Sequence, residues 1–298
     1  MERVNLDVLN TEQRNEKTKN LDSLSVLELL QIMNEEDGNV VAAVKQELPV
    51  IEAAIKQIVA AIDRGGRLIY IGAGTSGRLG VLDASECPPT FSTTDEILGI
   101  MAGGDEAIRK AKEGAEDDLT LAEQDLKALN LNANDVLCGI AASGRTPYVI
   151  GGLKYMKSLH GTCIALSCNA NSEISSLADI AIEVKVGPEI LTGSTRLKAG
   201  TAQKLVLNML STASMVQLGK VFQNLMVDVK PSNLKLIERC KRIVMQACEC
   251  SYEDAAQALE QCEFRPKTAI VMLLLGIDAK EAMQRLQQHR GFIRSAIQ

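Results

Sequence analysis

The 298-residue chain has no tryptophan, four tyrosines, four phenylalanines and two histidines. With aromatics at 3%, platforms for stacking bases are scarce. Positive charge is also short: 32 basic residues face 38 acidic ones, and the formal charge of −6 repels a polyphosphate backbone. Nucleic acid is therefore not expected as a partner. Long apolar runs are missing too; the longest, Ala269 to Ile277, falls far short of the ~20 residues a membrane helix needs and reads as a buried helix. No membrane partner is expected. The start, Met1-Glu2-Arg3-Val4-Asn5-Leu6-Asp7, has no apolar signal core, so a cytoplasmic protein with eight free thiols is the expectation. Cys248 and Cys250 have one residue between them where zinc sites want two to four, and with only His160 and His289 in support no metal site is expected.

What is present is an ordinary globular mixture, 46% hydrophobic and 23% charged, long enough for two domains or one large domain with an appendage. A polar arm of about twenty residues opens the chain and reads as loosely held; a short helix follows over Ser25 to Asn34. Apolar residues at intervals of three and four predict one long helix from Val40 to Ile62, stopped by Gly65 and Gly66. Short apolar runs then recur at Leu68–Ile71, Ile97–Met101, Val136–Ala141, Cys163–Ser167 and Ile180–Val186, with helix-like stretches between them. Alternation of this kind predicts an α/β fold of three layers, a central parallel sheet with helices on both faces. Another long helix is predicted over Thr195 to Gln223. Beyond Pro231 no strand pattern remains, and Leu234–Cys248, Tyr252–Cys262, Pro266–Leu275 and Ala279–His289 read as a small helical bundle. The expected division is residues 1–50 for the arm and first helices, 51–228 for the sheet domain and 229–298 for the bundle.

In an open parallel sheet the ligand lies at the carboxyl ends of the strands, so the loops there come first. Gly72-Ala73-Gly74-Thr75-Ser76-Gly77-Arg78 lets backbone approach an anion closely and adds two hydroxyls. Its likeness to a dinucleotide loop is superficial, because Arg78 follows and the next predicted strand has no acidic residue at its end to hold a ribose. A phosphate cradle and a tight structural turn are the two readings. A second loop, Ala142-Ser143-Gly144-Arg145-Thr146-Pro147, places Ser143 and Thr146 at a helix N-terminus, with Pro147 suited to the first turn. Thr146 as a simple helix cap is compatible with that. A third segment, Glu189 to Gly200, holds Ser194 and Lys198, which could face the same pocket.

With both histidines outside these loops a serine–histidine nucleophile is not credible, and carboxylates must carry proton transfers. Glu86 reads as lying at the end of a helix terminated by Pro88, where the negative dipole end favours the acid form. Glu116, just past Gly114 and before the next helix, lies where the positive end favours the carboxylate. Such a pair would separate an acid from a base if both reached one pocket; as solvated surface groups they would do neither.

Gly72 to Gly80, Asp83 to Pro89, Ala141 to Tyr148 and Gly187-Pro188-Glu189 through Gly200-Thr201-Ala202-Gln203-Lys204 resemble the N-acetylmuramic acid 6-phosphate etherase family. That family belongs to the sugar-isomerase (SIS) phosphosugar-binding superfamily and is related to glucokinase regulatory protein. The resemblance spans nearly the whole chain. It implies removal of D-lactate from N-acetylmuramic acid 6-phosphate in cell-wall sugar recycling, with Glu86 as proton donor, Glu116 as base, and no metal or redox cofactor. It also implies that Ser76, Ser143 and Thr146 hold the 6-phosphate while Gly74, Thr75, Gly77 and Gly144 shape the loops. Arg78 and Arg145 would bind phosphate or the lactyl carboxylate bidentately, or fix a loop; Ser194 and Lys198 complete the expected set. Homodimers with shared sites are implied, the two long helices supplying part of the interface, and the bundle resembles a ubiquitin-associated fold. The rival readings are an aldose-ketose phosphosugar isomerase and a non-catalytic phosphosugar-binding regulator.

Overall fold

The computed structural model describes residues 9–231 and 233–298. Helix α1, Val26–Gln46, starts at a capping box in which Ser25 and Glu28 satisfy each other's backbone N–H. Helix α2, Leu48–Asp63, follows after Glu47. The helix expected from Val40 to Ile62 is thus two: Pro49 cannot donate to the ladder, and the N–H of Glu47 bonds to the Val44 carbonyl at 3.0 Å instead. The core-facing period runs through both helices, so periodicity alone does not register the break.

Five strands follow, β1 Leu68–Gly72, β2 Ile97–Met101, β3 Val136–Ile140, β4 Thr162–Ser167 and β5 Ile180–Glu183, all parallel in the order β2-β1-β3-β4-β5. Between them run α3 Gly74–Phe91, α4 Glu106–Arg109, α5 Leu121–Ala128, α6 Pro147–Ser158 and α7 Glu173–Leu177, and α8 Lys198–Gln217 comes after the sheet. Strands β1 and β3 are buried along their whole length, as their unbroken apolar runs require. From β1 the chain crosses outward to β2 and then back to β3, so the strand order reverses between β1 and β3. Gly72 pairs in register with Ile140, and the two glycine-hydroxyl loops therefore leave the sheet side by side at its switch point.

The arm is not loose from Leu9 onward. Thr11, Asn15 and Thr18 are buried; the Thr18 hydroxyl donates to the Ile190 carbonyl at 2.8 Å and the Asn15 amide to Glu36 at 2.9 Å. Short polar side chains of this kind read as solvated until a partner backbone is brought to them. Helix α8 starts at Lys198, later than expected, and gives way near Gly219, which takes φ +73°.

By contacts the chain to Ser85 with Glu96–Leu210 forms one unit, and Glu86–Asp95 with Ser211–Gln298 a second. The division falls at Leu210, within α8, instead of near residue 230, because a continuous helical pattern does not reveal which core each turn joins. The second unit contains α9 Leu234–Cys248, α10 Tyr252–Gln261, α11 Pro266–Leu275, α12 Ala279–Gln288 and α13 Ile293–Ala296 around Ile243, Val244, Leu259, Ile270 and Leu286. All eight cysteines are free, and burial pushes the Cys163, Cys168 and Cys248 thiols up to about 12, which keeps them protonated. Among the described residues no helix is long and apolar enough to cross a membrane.

Candidate active site

At the carboxyl end of β1 the backbone turns directly into α3. A Cβ on Gly72 would lie 2.8 Å from the Gly77 nitrogen, and one on Gly77 only 2.6 Å from the Gly72 carbonyl oxygen. Only glycine at both positions permits that approach, while Gly74 takes φ +54° to open the helix. The first turn of α3, with its unpaired N–H groups and positive dipole end, thereby faces the switch-point crevice. Thr75 is half-buried beside Gly200 of α8. Ser76 is buried and its hydroxyl donates to Gln203 Oε1 at 3.0 Å.

Arg78 donates from Nε to the Ile108 carbonyl and from Nη2 to the Ala107 carbonyl, both at 2.8 Å. Of the alternatives open for this guanidinium the loop-fixing one is realised: it ties the segment after β2 over the first loop. That segment closes a cleft of about 180 Å³ whose walls include Gly74, Arg78, Lys112, Glu113 and Glu116. Glu116 sits in a 3-10 turn, Ala115–Asp117, entered through Gly114 at φ +76°. The structure therefore brings Glu116 together with the first phosphate-type loop.

In the second loop Gly144 takes φ +71°, and the Ser143 hydroxyl accepts from the Arg145 N–H at 3.3 Å. Arg145 is half-buried. Thr146 is the N-cap of α6 yet makes no side-chain cap hydrogen bond, so the simple capping role is not realised and the hydroxyl is left for other use. A Cβ on Gly144 would lie 2.2 Å from Ser172 Cβ. Gly144→Ala is accordingly expected to cost about 2–4 kcal/mol, from steric overlap and the left-handed backbone together, measurable by urea unfolding.

The third segment does not face this pocket with its lysine. Lys198 is buried and its ammonium lies 2.7 Å from Glu36, in a cluster with Lys17 and Asn15. The N-terminus of α8 is closed from within: Glu189, fully buried, accepts from the N–H groups of Lys198 and Ala199 at 2.9 and 3.0 Å. Burial pushes the Glu189 carboxyl up, against those two N–H groups and the nearby Lys198 charge. An anion has no place where a carboxylate already sits. Ser194 is half-buried in the preceding turn, its carbonyl accepting from the Leu197 N–H.

Glu86 also departs from expectation. Helix α3 continues through Pro88 and Pro89 to Phe91, so Glu86 is exposed on a helix face and not at a helix end, and the dipole argument for it lapses. Proline's φ suits a helix, and the two N–H groups it removes here fall in the last turn of α3, so only that turn is weakened and the helix ends two residues later. Lys112, Glu113 and Gln203 were not singled out from the sequence. Gln203 had a signal, a polar residue four after Ala199 and three before Val206 on the core face of α8. Among the described residues no group of three or more histidine, cysteine or acidic side chains converges as a metal site.

A model of the glucokinase regulatory protein N-terminal SIS domain matches residues 50–157, and a model of the SIS domain matches 120–213. Over 293 residues the chain is 57% identical to N-acetylmuramic acid 6-phosphate etherase of Bacillus cereus (strain G9842), covering 98% of this chain and all of that one. The chain belongs to the N-acetylmuramic acid 6-phosphate etherase family. A second relative, N-acetylmuramic acid 6-phosphate etherase 2 of Lactiplantibacillus plantarum, is 58% identical over 295 residues, 99% of this chain and 100% of its own. In fold the family member resembles phosphoheptose isomerase from Francisella tularensis, with a TM-score of 0.53 over 65% of this chain and 100% of that one at 18% identity.

Proposed function

We propose that this chain cleaves the D-lactyl ether at carbon 3 of N-acetylmuramic acid 6-phosphate, giving N-acetylglucosamine 6-phosphate and D-lactate. The observation that carries the reading is the cleft shared by Gly74, Arg78 and Glu116, which sets a carboxylate beside a helix N-terminus suited to a phosphate. The 6-phosphate would rest on the N–H groups of α3 and on Ser76, Ser143 and Thr146. Opening of the sugar ring makes the carbon-2 hydrogen acidic beside the aldehyde. Glu116 takes that proton, the electron pair forms the carbon 2–carbon 3 double bond, and the carbon 3–oxygen bond breaks. Glu86 protonates the departing ether oxygen. Water then adds to carbon 3 and a proton returns to carbon 2, restoring the saturated sugar. An isomerase would need no acid at carbon 3, so Glu86→Gln distinguishes the two chemistries.

Lactate release in water labelled with heavy oxygen tests this reading. The label is expected on carbon 3 of the sugar and none in D-lactate; label in the lactate, or no lactate at all, would sink it.

The reading includes a homodimer. Val26, Leu27, Leu30 and Val41 are 74, 65, 54 and 66% exposed on one face of α1, more apolar surface than a lone helix normally leaves in water. A second copy covers this face and brings its own residues to the site. Sedimentation of a Leu30→Glu, Val41→Glu variant is expected to give half the mass of the parent protein; an unchanged mass would place the interface elsewhere.

A further inference from the structure

Gln203 is wholly buried on α8, and among the described residues its Nε2 has no hydrogen-bond partner, although a buried N–H without one is costly. Its other end is engaged: Oε1 accepts the hydroxyl proton of Ser76 at 3.0 Å. A serine has a single proton to donate, and here that proton points at Gln203 and not at the crevice. A sugar phosphate near neutral pH is dianionic and only accepts. With its proton on Gln203, the Ser76 hydroxyl therefore has nothing to offer a phosphate.

We propose that Gln203 is a positioning residue that redirects the Ser76 hydroxyl toward the substrate's phosphate. The inference rests on the reading of Ser76 as a phosphate ligand. When the phosphate is in place the Gln203 amide is turned by half a rotation. Nε2 then donates to Ser76 Oγ, which releases the serine proton to a phosphate oxygen, and the two bonds in series strengthen one another. Oε1 takes the position that Nε2 had, and a carbonyl tolerates a missing partner better than an N–H does. The unpaired donor of the free enzyme is thus the group held ready for the loaded one. No charge enters the buried site, and the amide needs no new space because its two ends are nearly the same size.

The test is a double-variant cycle on the full chain, with binding of N-acetylglucosamine 6-phosphate followed by calorimetry and lactate release followed beside it. Ser76→Ala is expected to weaken binding by about 10-fold or more. Gln203→Met is expected to weaken binding and raise KM by about 5-fold, with kcat within about 3-fold of the parent, and to add less than about 2-fold on the Ser76→Ala background. Equal factors on both backgrounds would mean that Gln203 acts by packing alone, and the inference falls while the phosphate reading stands. Unchanged binding in Ser76→Ala would remove the phosphate reading and the inference with it. Should Gln203→Met fail to fold, Gln203→Leu, apolar and of similar size, takes its place with the same expected factors; equal factors on the parent and Ser76→Ala backgrounds would overturn the inference.

Discussion

Glu116→Gln is expected to lower the rate of lactate release by about 10²- to 10⁴-fold with little change in KM, the loss that follows when a positioned proton acceptor is replaced by a group of the same shape that accepts no proton. The side chain lies in the wall of the cleft formed with Gly74 and Arg78, in a turn whose entry at Gly114 is independent of the carboxylate itself. The substitution therefore leaves the loop in place and removes only the carboxylate. Exchange of the carbon-2 hydrogen with deuterium from solvent isolates that step. Glu116→Gln is expected to lose both exchange and lactate release, whereas Glu86→Gln retains exchange and loses release, since the acid acts only once carbon 2 has been deprotonated. Persistent exchange in Glu116→Gln would assign the base elsewhere, with Glu113 in the same cleft the first alternative.

The second large effect is on stability. Glu36→Gln is expected to cost about 3–5 kcal/mol, because the substitution leaves Lys198, 1% exposed, as a buried cation without its counter-ion. Burial pushes the Glu36 carboxyl up, but the Lys198 and Lys17 ammonium groups and the Asn15 amide more than reverse this and hold it at about 2. A carboxyl held below its ordinary value contributes stability that is full above that value, near 4.5, and is lost as the pH falls from there to about 2. The difference amounts to about 3 kcal/mol at neutral pH. Urea unfolding at pH 7 and pH 3 checks both points: the parent loses stability between them, and Glu36→Gln loses less over the same range. Glu36→Leu combined with Lys198→Met is expected to recover most of the loss, since an apolar pair of similar volume replaces the ion pair without leaving a charge behind. Failure of the double variant to recover would show that the arm, through Lys17 and Asn15, depends on the Glu36 carboxylate itself.

The strands were legible because each had to be apolar on both faces, and the apolar runs of the sequence coincide with β1 through β5 to within a few residues. The bundle helices were legible from their period and their stops: α9, α10 and α12 carry one apolar stripe each, and α11 is an apolar run buried on all sides. Gly72 and Gly77 announced the first loop through chemistry that no other residue supplies, a backbone close enough to its neighbour to exclude a Cβ, and Gly74 through a left-handed φ of +54°. Charges were not legible in this way. Glu189 and Lys198 read as part of a segment that opens a helix and could face the pocket, yet Lys198 is matched to Glu36, 162 residues away in sequence, and Glu189 caps α8. Arg78 was left between a phosphate and a loop; its Nε and Nη2 bond the carbonyls of Ile108 and Ala107 while the side chain also lines the cleft.

The sequence by itself determined the alternation of strands and helices, the loops of glycine and hydroxyl residues at the strand ends, and the family. These depend on local periodicity and on residue types with narrow conformational uses, which act within a few residues of themselves. Only the tertiary structure decided which polar groups line the cleft and which meet each other. That choice is made by desolvation: a charge or amide taken out of water must find its partner wherever the fold brings one, as Lys198 found Glu36 and Ser76 found Gln203.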